Sequence, residues 1–220
     1  MGERRLHRIG LTGSIATGKS TAARLLREMG YMVLDADQIY HQLIERSSSL
    51  SQAIANAFGQ EILDPKTGGV DRRALGSLVF HDQEALKRLN AITHPAVFNA
   101  LSKEADQREH IWAESARESS LLFFDVPLLI EARELAVPLH LNGIWLITAD
   151  PEIQLKRLME REQLDQNLAM ERIRAHAPQE EKEKFATLVI PNNRDEETLR
   201  HVLCSAAAEE INHGIRQDIF

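Results

Sequence analysis

The sequence predicts an α/β fold in which a parallel sheet of about five strands lies between two layers of helices. Short, continuous apolar runs such as 121–124 and 143–148 are typical of strands that are buried on both faces. Amphipathic helical segments separate these runs, which favours parallel β-α-β crossovers. The chain has 220 residues, of which 43% are hydrophobic and 27% charged, and this suits one folded α/β domain with an insertion.

The first elements form a strand–helix–strand unit. A strand predicted over 8–12 ends at a glycine-rich turn, and 21–29 carries apolar residues at helical spacing. Gly30 is typical of a helix C-terminus, and 31–34 is compatible with a second strand that stops at Asp35. This order implies that the flanking strands are parallel.

The segment from 38 to about 116 carries helical patterns and no strand signal. We expect interruptions at 64–69 and at His94 and Pro95, because the residue before a proline disfavours the helical conformation. A helical stretch of this length between strands of one sheet indicates an insertion with a function of its own.

The second half of the chain returns to alternating strands and helices. A helix is predicted from Pro151, with Asp150 as its N-cap, and 187–190 is predicted as the last strand. A closing amphipathic helix follows this strand.

The strongest motif lies between the first predicted strand and helix. The segment from Gly13 to Ser20 matches G-x-x-x-x-G-K-[ST]. Glycines at both ends let backbone amides converge on a phosphate, and the helix N-terminus adds positive potential. Lys19 is expected to bridge the β- and γ-phosphates, and the Ser20 hydroxyl to bind Mg²⁺. The motif therefore predicts a P-loop NTPase-type three-layer sandwich that binds a nucleoside triphosphate. The predicted nucleotide contacts here are Gly13, Ser14, Ile15, Ala16, Thr17, Gly18, Lys19, Ser20 and Thr21.

Other nucleotide-binding classes fit the sequence poorly. A GTPase would need a D-x-x-G motif, which is absent, and an N-K-x-D motif, whose lysine is missing from 192–195. A dinucleotide-binding fold would need G-x-G, which does not occur. Of the nucleotide-binding classes compared with the sequence, a small-molecule kinase remains.

Acids that follow predicted strands are candidates for the chemistry. Asp35 and Asp37 would point to the same side of an extended backbone, and we favour Asp37 as the general base, with Asp35 supporting it or the metal. A helix N-cap plus a turn acid is the alternative for this pair. Asp125 is a candidate for Mg²⁺ through water, or for the substrate site, with a structural cap as the alternative.

Basic residues suit a mobile lid over the phosphates. Arg157 and Arg161 are four residues apart and share one helix face, and Arg172 follows. Such cations stabilise the transition state of phosphoryl transfer. The alternative is a solvated helical face, because glutamates are frequent in this stretch.

Charge and cysteine content limit the expected partners and the expected cellular compartment of the protein. A net charge of −7 disfavours nucleic-acid binding, and we expect no membrane segment. The single cysteine, Cys204, suits a reducing compartment and is expected to be a buried structural thiol, so the expected location is cytoplasmic.

Several motifs occur in a fixed order along the chain: 9–21, 35–37, 69–75, 89–95, 125–131 and 172–174, followed by Glu181 and Lys182. In this order they resemble the dephospho-coenzyme A kinase family over nearly the whole chain. The resemblance implies transfer of the ATP γ-phosphate to the ribose 3′-hydroxyl of dephospho-coenzyme A, with Mg²⁺. It also implies a kinase core of 1–37 and 118–220, a lid of about 155–184 within it, and a helical acceptor-binding domain of 38–117.

The resemblance also implies roles for single residues. Asp37 matches the acid that activates the hydroxyl and, with Ser20, would be a Mg²⁺ ligand; Lys19 would hold ATP, and Arg157 and Arg161 match lid arginines.

Further residues match the substrate-binding parts of the family. His94 and Pro95 match a pair that flanks the acceptor pocket, with a structural histidine and a helix-start proline as the alternative. Leu75 and Phe80 are further candidate acceptor contacts, and Asn192 belongs to a segment near the adenine.

The sequence departs from the family pattern at several positions. Ser14 and Ala16 replace glycines of the loop, and His41, His176 and Arg194 replace other usual residues. Two alternatives therefore stay open: another P-loop kinase with a nucleoside or nucleotide acceptor, and a nucleotide-binding regulator that has lost catalysis. The expected partners are ATP and dephospho-coenzyme A, and the chain is expected to be a monomer or a weak homo-oligomer.

Overall fold

The computed structural model describes residues 5–79, 82–115, 120–175, 177–213 and 219. Its central sheet has five strands in the order β2-β3-β1-β4-β5, and the pairs β1–β3, β1–β4 and β4–β5 are parallel. The strands are β1 His7–Gly13, β2 Met32–Asp35, β3 Leu121–Asp125, β4 Gly143–Thr148 and β5 Leu188–Pro191. The α/β fold with a five-stranded parallel sheet is confirmed.

Nine α-helices occur in the described part of the chain. They are α1 Lys19–Glu28, α2 Ala36–Ile44, α3 Ser49–Phe58, α4 Arg72–Val79, α5 Gln83–Ala113, α6 Pro151–Glu162, α7 Gln166–Arg174, α8 Gln179–Glu183 and α9 Glu196–His213. Short 3₁₀ turns lie at Gln60–Ile62, Arg133–Leu135 and Val137–Leu139.

The middle strands are apolar because both of their faces are covered. Every residue of β1, β3 and β4 is buried, and the Phe123 and Trp145 rings of the two strands beside β1 lie 5.0 Å apart between centroids. Leu25 and Leu26 of α1 and Leu203 of α9 complete this core with no exposed surface. Burial on both faces explains the continuous apolar runs in the sequence.

Strand register brings three segments to one edge of the sheet. Leu11 lies opposite Asp125, and Gly13 lies opposite Ile147. The chain therefore leaves β1, β3 and β4 at neighbouring carboxyl ends, which is where open parallel sheets bind ligands.

The chain forms two compact units. One comprises residues up to 34 and from 105 onward, and the other comprises 35–104. The predicted boundaries at 37/38 and 117/118 differ from these. The observed boundary at 104/105 falls inside α5. Arg8 of β1 binds Asp106 at 2.7 Å and Glu109 at 2.6 Å, which places the last turns of α5 with the sheet unit.

The helical unit has its own apolar core, which includes Ile44, Ile54 and Leu89. The predicted break at Pro95 is wrong, because α5 continues through this proline. Buried residues on both sides of it, such as Leu89 and Leu101, keep the helix in place although proline removes one backbone hydrogen bond. Leu75 also packs in this core at 3% exposure, so its position does not support direct contact with an acceptor.

Two further expectations are corrected by the structure. Cys204 is exposed on α9, so the prediction of a buried structural thiol is wrong. Asp150 does precede α6 as expected, but its side chain makes no capping hydrogen bond. Its backbone N–H instead donates to Oδ1 of Asn193 at 2.8 Å.

None of the described helices combines the length and the apolar character needed to cross a membrane.

Candidate functional site

The turn after β1 has a shape that requires its two glycines. Gly18 has φ 92 and serves as the N-cap of α1, a left-handed conformation that glycine adopts without strain. A Cβ atom at Gly13 would lie 2.7 Å from Oγ1 of Thr17 and 2.8 Å from the carbonyl oxygen of Ile147. The glycines of the motif are therefore needed for backbone conformation at Gly18 and for close packing at Gly13.

This loop forms one wall of a cavity of about 520 Å³ within the sheet unit. Helix α6 contributes Arg157 and Arg161, and the segment after β3 contributes Pro127 and Leu128. The loop residues that line it are Gly13, Ser14, Ile15, Ala16, Gly18, Lys19, Ser20 and Thr21. The structure thus brings together most of the predicted nucleotide contacts and both predicted lid arginines.

Two predicted nucleotide contacts do not line this cavity. Thr17 is 1% exposed and donates from its hydroxyl to the carbonyl oxygen of Ser14 at 2.9 Å. Asn192 is 6% exposed and donates from Nδ2 to the carbonyl oxygen of Thr17 at 2.9 Å. Both side chains lie behind the loop, and the segment directly after β5 supplies the second one.

The cations of the cavity differ in their partners. The ammonium group of Lys19 forms an ion pair with Asp125, whose side chain is 6% exposed. Nη1 of Arg157 is buried and has no hydrogen-bond partner among the described residues. Arg161 binds Glu162 at 2.6 Å, and Arg172 of α7 binds the other oxygen of the same carboxylate.

The roles predicted for Asp125 stay predictions, and the structure places its carboxylate beside the ammonium group of Lys19. It is buried, neutralises Lys19 and is not among the residues that line the cavity. Sequence reasoning missed this pairing, and it also missed Pro127 and Leu128 as cavity residues. The one available signal was that all three residues follow or end a strand next to β1.

The two acids at the end of β2 and the start of α2 are arranged differently from the extended pair that was expected. Asp35 is the N-cap of α2 and accepts a hydrogen bond from the backbone N–H of Gln38 at 3.0 Å. Asp37 lies in the first turn of this helix and is exposed. The extended arrangement is wrong because the helix begins directly after Asp35, and only Asp37 keeps its carboxylate unengaged by capping.

The remaining predicted residues lie in several places. His94 and Pro95 are half-buried inside α5, so the alternative of a helix-start proline is wrong. His41 and Arg194 are exposed. Phe80 and His176 lie outside the described residues.

Comparisons with known proteins agree with this geometry. A sequence model of the family described as Dephospho-CoA kinase matches residues 7–197. This chain belongs to the dephospho-CoA kinase family. A dephospho-CoA kinase of Streptococcus pyogenes is 41% identical over 93% of this chain and 98% of the relative.

Solved structures of similar proteins have the same fold. The dephospho-CoA kinase from Campylobacter jejuni is 29% identical, with a TM-score of 0.64 over 92% of this chain and 96% of that chain. A Thermus thermophilus protein, TT1252, is 36% identical, with a TM-score of 0.71 over 93% of this chain and 98% of that chain. As a member of the dephospho-CoA kinase family, this protein is an ATP-dependent kinase, and its P-loop fold is confirmed.

The predicted Mg²⁺ ligands, Ser20 and Asp37, stay predictions for this dephospho-CoA kinase site. No group of three histidine, cysteine or acidic side chains that could hold a metal occurs in the described residues. Ser20 is exposed in the first turn of α1 and lines the cavity, so its hydroxyl is available to an ion that phosphates already bind.

Ala16 is a departure from the dephospho-CoA kinase pattern that has an energetic consequence. Its φ of 60 is left-handed, which costs a residue with a Cβ about 1–2 kcal/mol. Glycine avoids this strain but costs about 0.5–1 kcal/mol in chain entropy. We expect Ala16→Gly to raise the free energy of unfolding by about 0.5–1 kcal/mol, measured by denaturant unfolding followed by tryptophan fluorescence.

Ala206 provides a matched control for this prediction, because it lies inside α9 in a helical conformation. Ala206→Gly should lower the free energy of unfolding by about 1 kcal/mol. Equal destabilisation by both substitutions would show that the backbone at position 16 is unstrained.

We expect His94 to make the stability of this kinase depend on pH. Burial lowers the pKa of His94, so the folded protein favours the neutral imidazole. The unfolded chain therefore binds a proton at higher pH than the folded chain, and stability rises with pH in that range. We expect thermal stability to fall as the pH drops below the unfolded histidine pKa of about 6.5, and to level off below the folded pKa.

Melting temperatures between about pH 5 and pH 8 test this expectation. His94→Gln should reduce the slope of stability against pH. His110→Gln is the control, because His110 also lies on α5 but its side chain is 77% exposed. An unchanged slope in His94→Gln would contradict the prediction.

Proposed function

We propose that this chain transfers the γ-phosphate of ATP to the ribose 3′-hydroxyl of dephospho-coenzyme A, with Mg²⁺, as the last step of coenzyme A synthesis. The observation that carries the proposal is the convergence of the loop 13–20 with Arg157 and Arg161 on one cavity. A buried guanidinium nitrogen of Arg157 has no partner among the described residues, which favours an anionic ligand at this place because an unpaired buried charge is costly. A triphosphate supplies such a ligand.

The loop and Lys19 hold the triphosphate in this mechanism. Backbone amides of 13–18 and the N-terminus of α1 attract the phosphate oxygens, and Lys19 exchanges part of its contact with Asp125 for the β- and γ-phosphates. Mg²⁺, held by the Ser20 hydroxyl and the phosphates, would neutralise further charge.

Asp37 is the proposed general base. As the 3′-oxygen forms a bond to the γ-phosphorus, the bond from that phosphorus to the β–γ bridging oxygen breaks and ADP leaves. The hydroxyl proton goes to the carboxylate of Asp37, which no capping hydrogen bond engages. Asp35 supports this step by capping α2 and so orienting its first turn.

The two arginines of α6 act on the transferred group. Negative charge spreads over the equatorial oxygens in the transition state, where planar guanidinium groups bind well. Arg157 is already in the cavity wall, and Arg161 would have to exchange its bond with Glu162 for a phosphate oxygen. We propose that 155–184 acts as the lid and that the part of the predicted insertion 38–117 that lies in the helical unit, up to 104, binds the acceptor with His94 and Pro95.

A direct assay distinguishes the candidate functions. The protein is incubated with Mg²⁺, ATP and either dephospho-coenzyme A or a panel of nucleosides and nucleotides, and products are identified by mass. Coenzyme A as the main product supports the proposal, whereas preferred phosphorylation of another acceptor would identify a different P-loop kinase. ATP binding without any product would indicate a regulator; the presence of Lys19 and Asp37 argues against this outcome. The expected cytoplasmic location belongs to the same proposal and agrees with the single cysteine.

A further inference from the structure

Two carbonyl groups of the loop are held from behind by buried side chains. The hydroxyl of Thr17 donates to the carbonyl oxygen of Ser14 at 2.9 Å, and Nδ2 of Asn192 donates to the carbonyl oxygen of Thr17 at 2.9 Å. The two donors are 1% and 6% exposed, respectively. A carbonyl group that turned toward the cavity would repel phosphate oxygens, so both hydrogen bonds favour the binding of an anion in the cavity.

Because the peptide group is planar, these two hydrogen bonds also fix the direction in which two backbone N–H groups point. In a trans peptide the carbonyl oxygen and the following N–H point to opposite sides. Holding the carbonyl of Thr17 toward Asn192 therefore sets the N–H of Gly18, and holding the carbonyl of Ser14 sets the N–H of Ile15. Gly18 and Ile15 both line the cavity.

Asn192 is itself anchored to the sheet. Its backbone N–H donates to the carbonyl oxygen of Thr148 at 2.8 Å, directly after the paired residues Thr148 and Pro191. A Cβ atom at Gly18 would overlap Nδ2 of Asn192, so the amide lies closely against the loop. The neighbouring Asn193 accepts from the backbone N–H of Asp150 at 2.8 Å, at the start of the helix that carries Arg157.

We propose that Asn192 is a positioning residue for the triphosphate, which acts through the peptide between Thr17 and Gly18 and not through contact with the adenine base. The inference rests on the proposed function, because it assumes that the cavity binds the phosphates of ATP. Thr17 does the same for the peptide between Ser14 and Ile15.

Calorimetric titration of the full chain with magnesium tripolyphosphate and with MgATP tests this proposal, since tripolyphosphate has no base. Asn192→Ala should weaken both ligands by the same factor, about tenfold, which corresponds to one lost hydrogen bond. Thr17→Val should also weaken both, and Thr17→Ser, which retains the hydroxyl, should recover most of the loss.

Asn142 supplies a control for general destabilisation. It is 5% exposed, and its Oδ1 accepts from the backbone N–H of Arg8 at 2.9 Å, near the opposite end of β1. Asn142→Ala should lower the melting temperature without changing either affinity.

The results of these titrations distinguish a failure of the role inferred for Asn192 from a failure of the proposed function. If Asn192→Ala weakens MgATP but not tripolyphosphate, the residue acts on the base and the inference is wrong. Unchanged affinity for both ligands, or an equal loss in Asn142→Ala, also overturns it. If the wild-type chain binds neither ligand, the proposed function fails and the inference fails with it. If Asn192→Ala does not fold, the Thr17 pair decides: loss in Thr17→Val without recovery in Thr17→Ser overturns the role of the buried donors.

Discussion

Lys19→Ala is expected to reduce phosphoryl transfer by about 10²–10³-fold, the range for removing one preorganised group that stabilises charge in the transition state. Lys19 is the first residue of α1 and the cation of the loop, and it lines the cavity with Arg157 and Arg161. The measurement is coenzyme A formation at saturating ATP and acceptor, so that weaker binding does not account for the loss.

This substitution also affects stability, because the ammonium group of Lys19 is the ion-pair partner of a buried carboxylate. Leaving Asp125 without this partner should cost about 3–5 kcal/mol of folding free energy. The double variant Lys19→Ala/Asp125→Asn should recover most of the lost stability, because it removes the buried charge, yet its turnover should stay about 10²–10³-fold below that of the wild type. Recovery of turnover in the double variant would mean that Lys19 acts only on stability.

Asp37→Asn is expected to lower kcat by about 10²–10⁴-fold, the usual contribution of a general base. The affinity for ATP should remain close to that of the wild type, because the loop 13–20 and not Asp37 is proposed to hold the triphosphate. Calorimetric ATP binding and steady-state kcat, measured on the same preparation, test both parts.

Asp35→Asn is the matched control, since it makes the same chemical change two residues away. Asparagine can still accept the hydrogen bond from the backbone N–H of Gln38, so α2 keeps its N-cap. A much smaller loss of kcat is expected in this variant. Full activity of Asp37→Asn, or equal losses in both variants, would remove Asp37 from the role of base.

The sheet and the loop were predictable because their signals are local. Burial on both faces leaves β3 and β4 as continuous apolar runs, and the spacing of Gly13, Gly18, Lys19 and Ser20 is a pattern of eight consecutive residues. Arg157 and Arg161 were predicted to share a helix face from their spacing alone, and both line the cavity.

Predictions that depended on distant neighbours were less successful. The expected helix break at Pro95 was wrong because burial of residues on both sides of it outweighs one missing hydrogen bond. The geometry predicted for Asp35 and Asp37 was wrong for a local reason: α2 begins at Ala36, so the residue between the two acids is helical and not extended.

The sequence by itself determined the α/β fold, the phosphate-binding loop and the family to which the chain belongs, because these depend on residue order and short spacings. Only the tertiary structure decided that Asp125 pairs with Lys19 and that Asn192 lies behind Thr17. These partners are separated by 106 and 175 positions in the chain, respectively. Parallel strands that end at the same edge of the sheet bring them together, and no local pattern encodes that proximity.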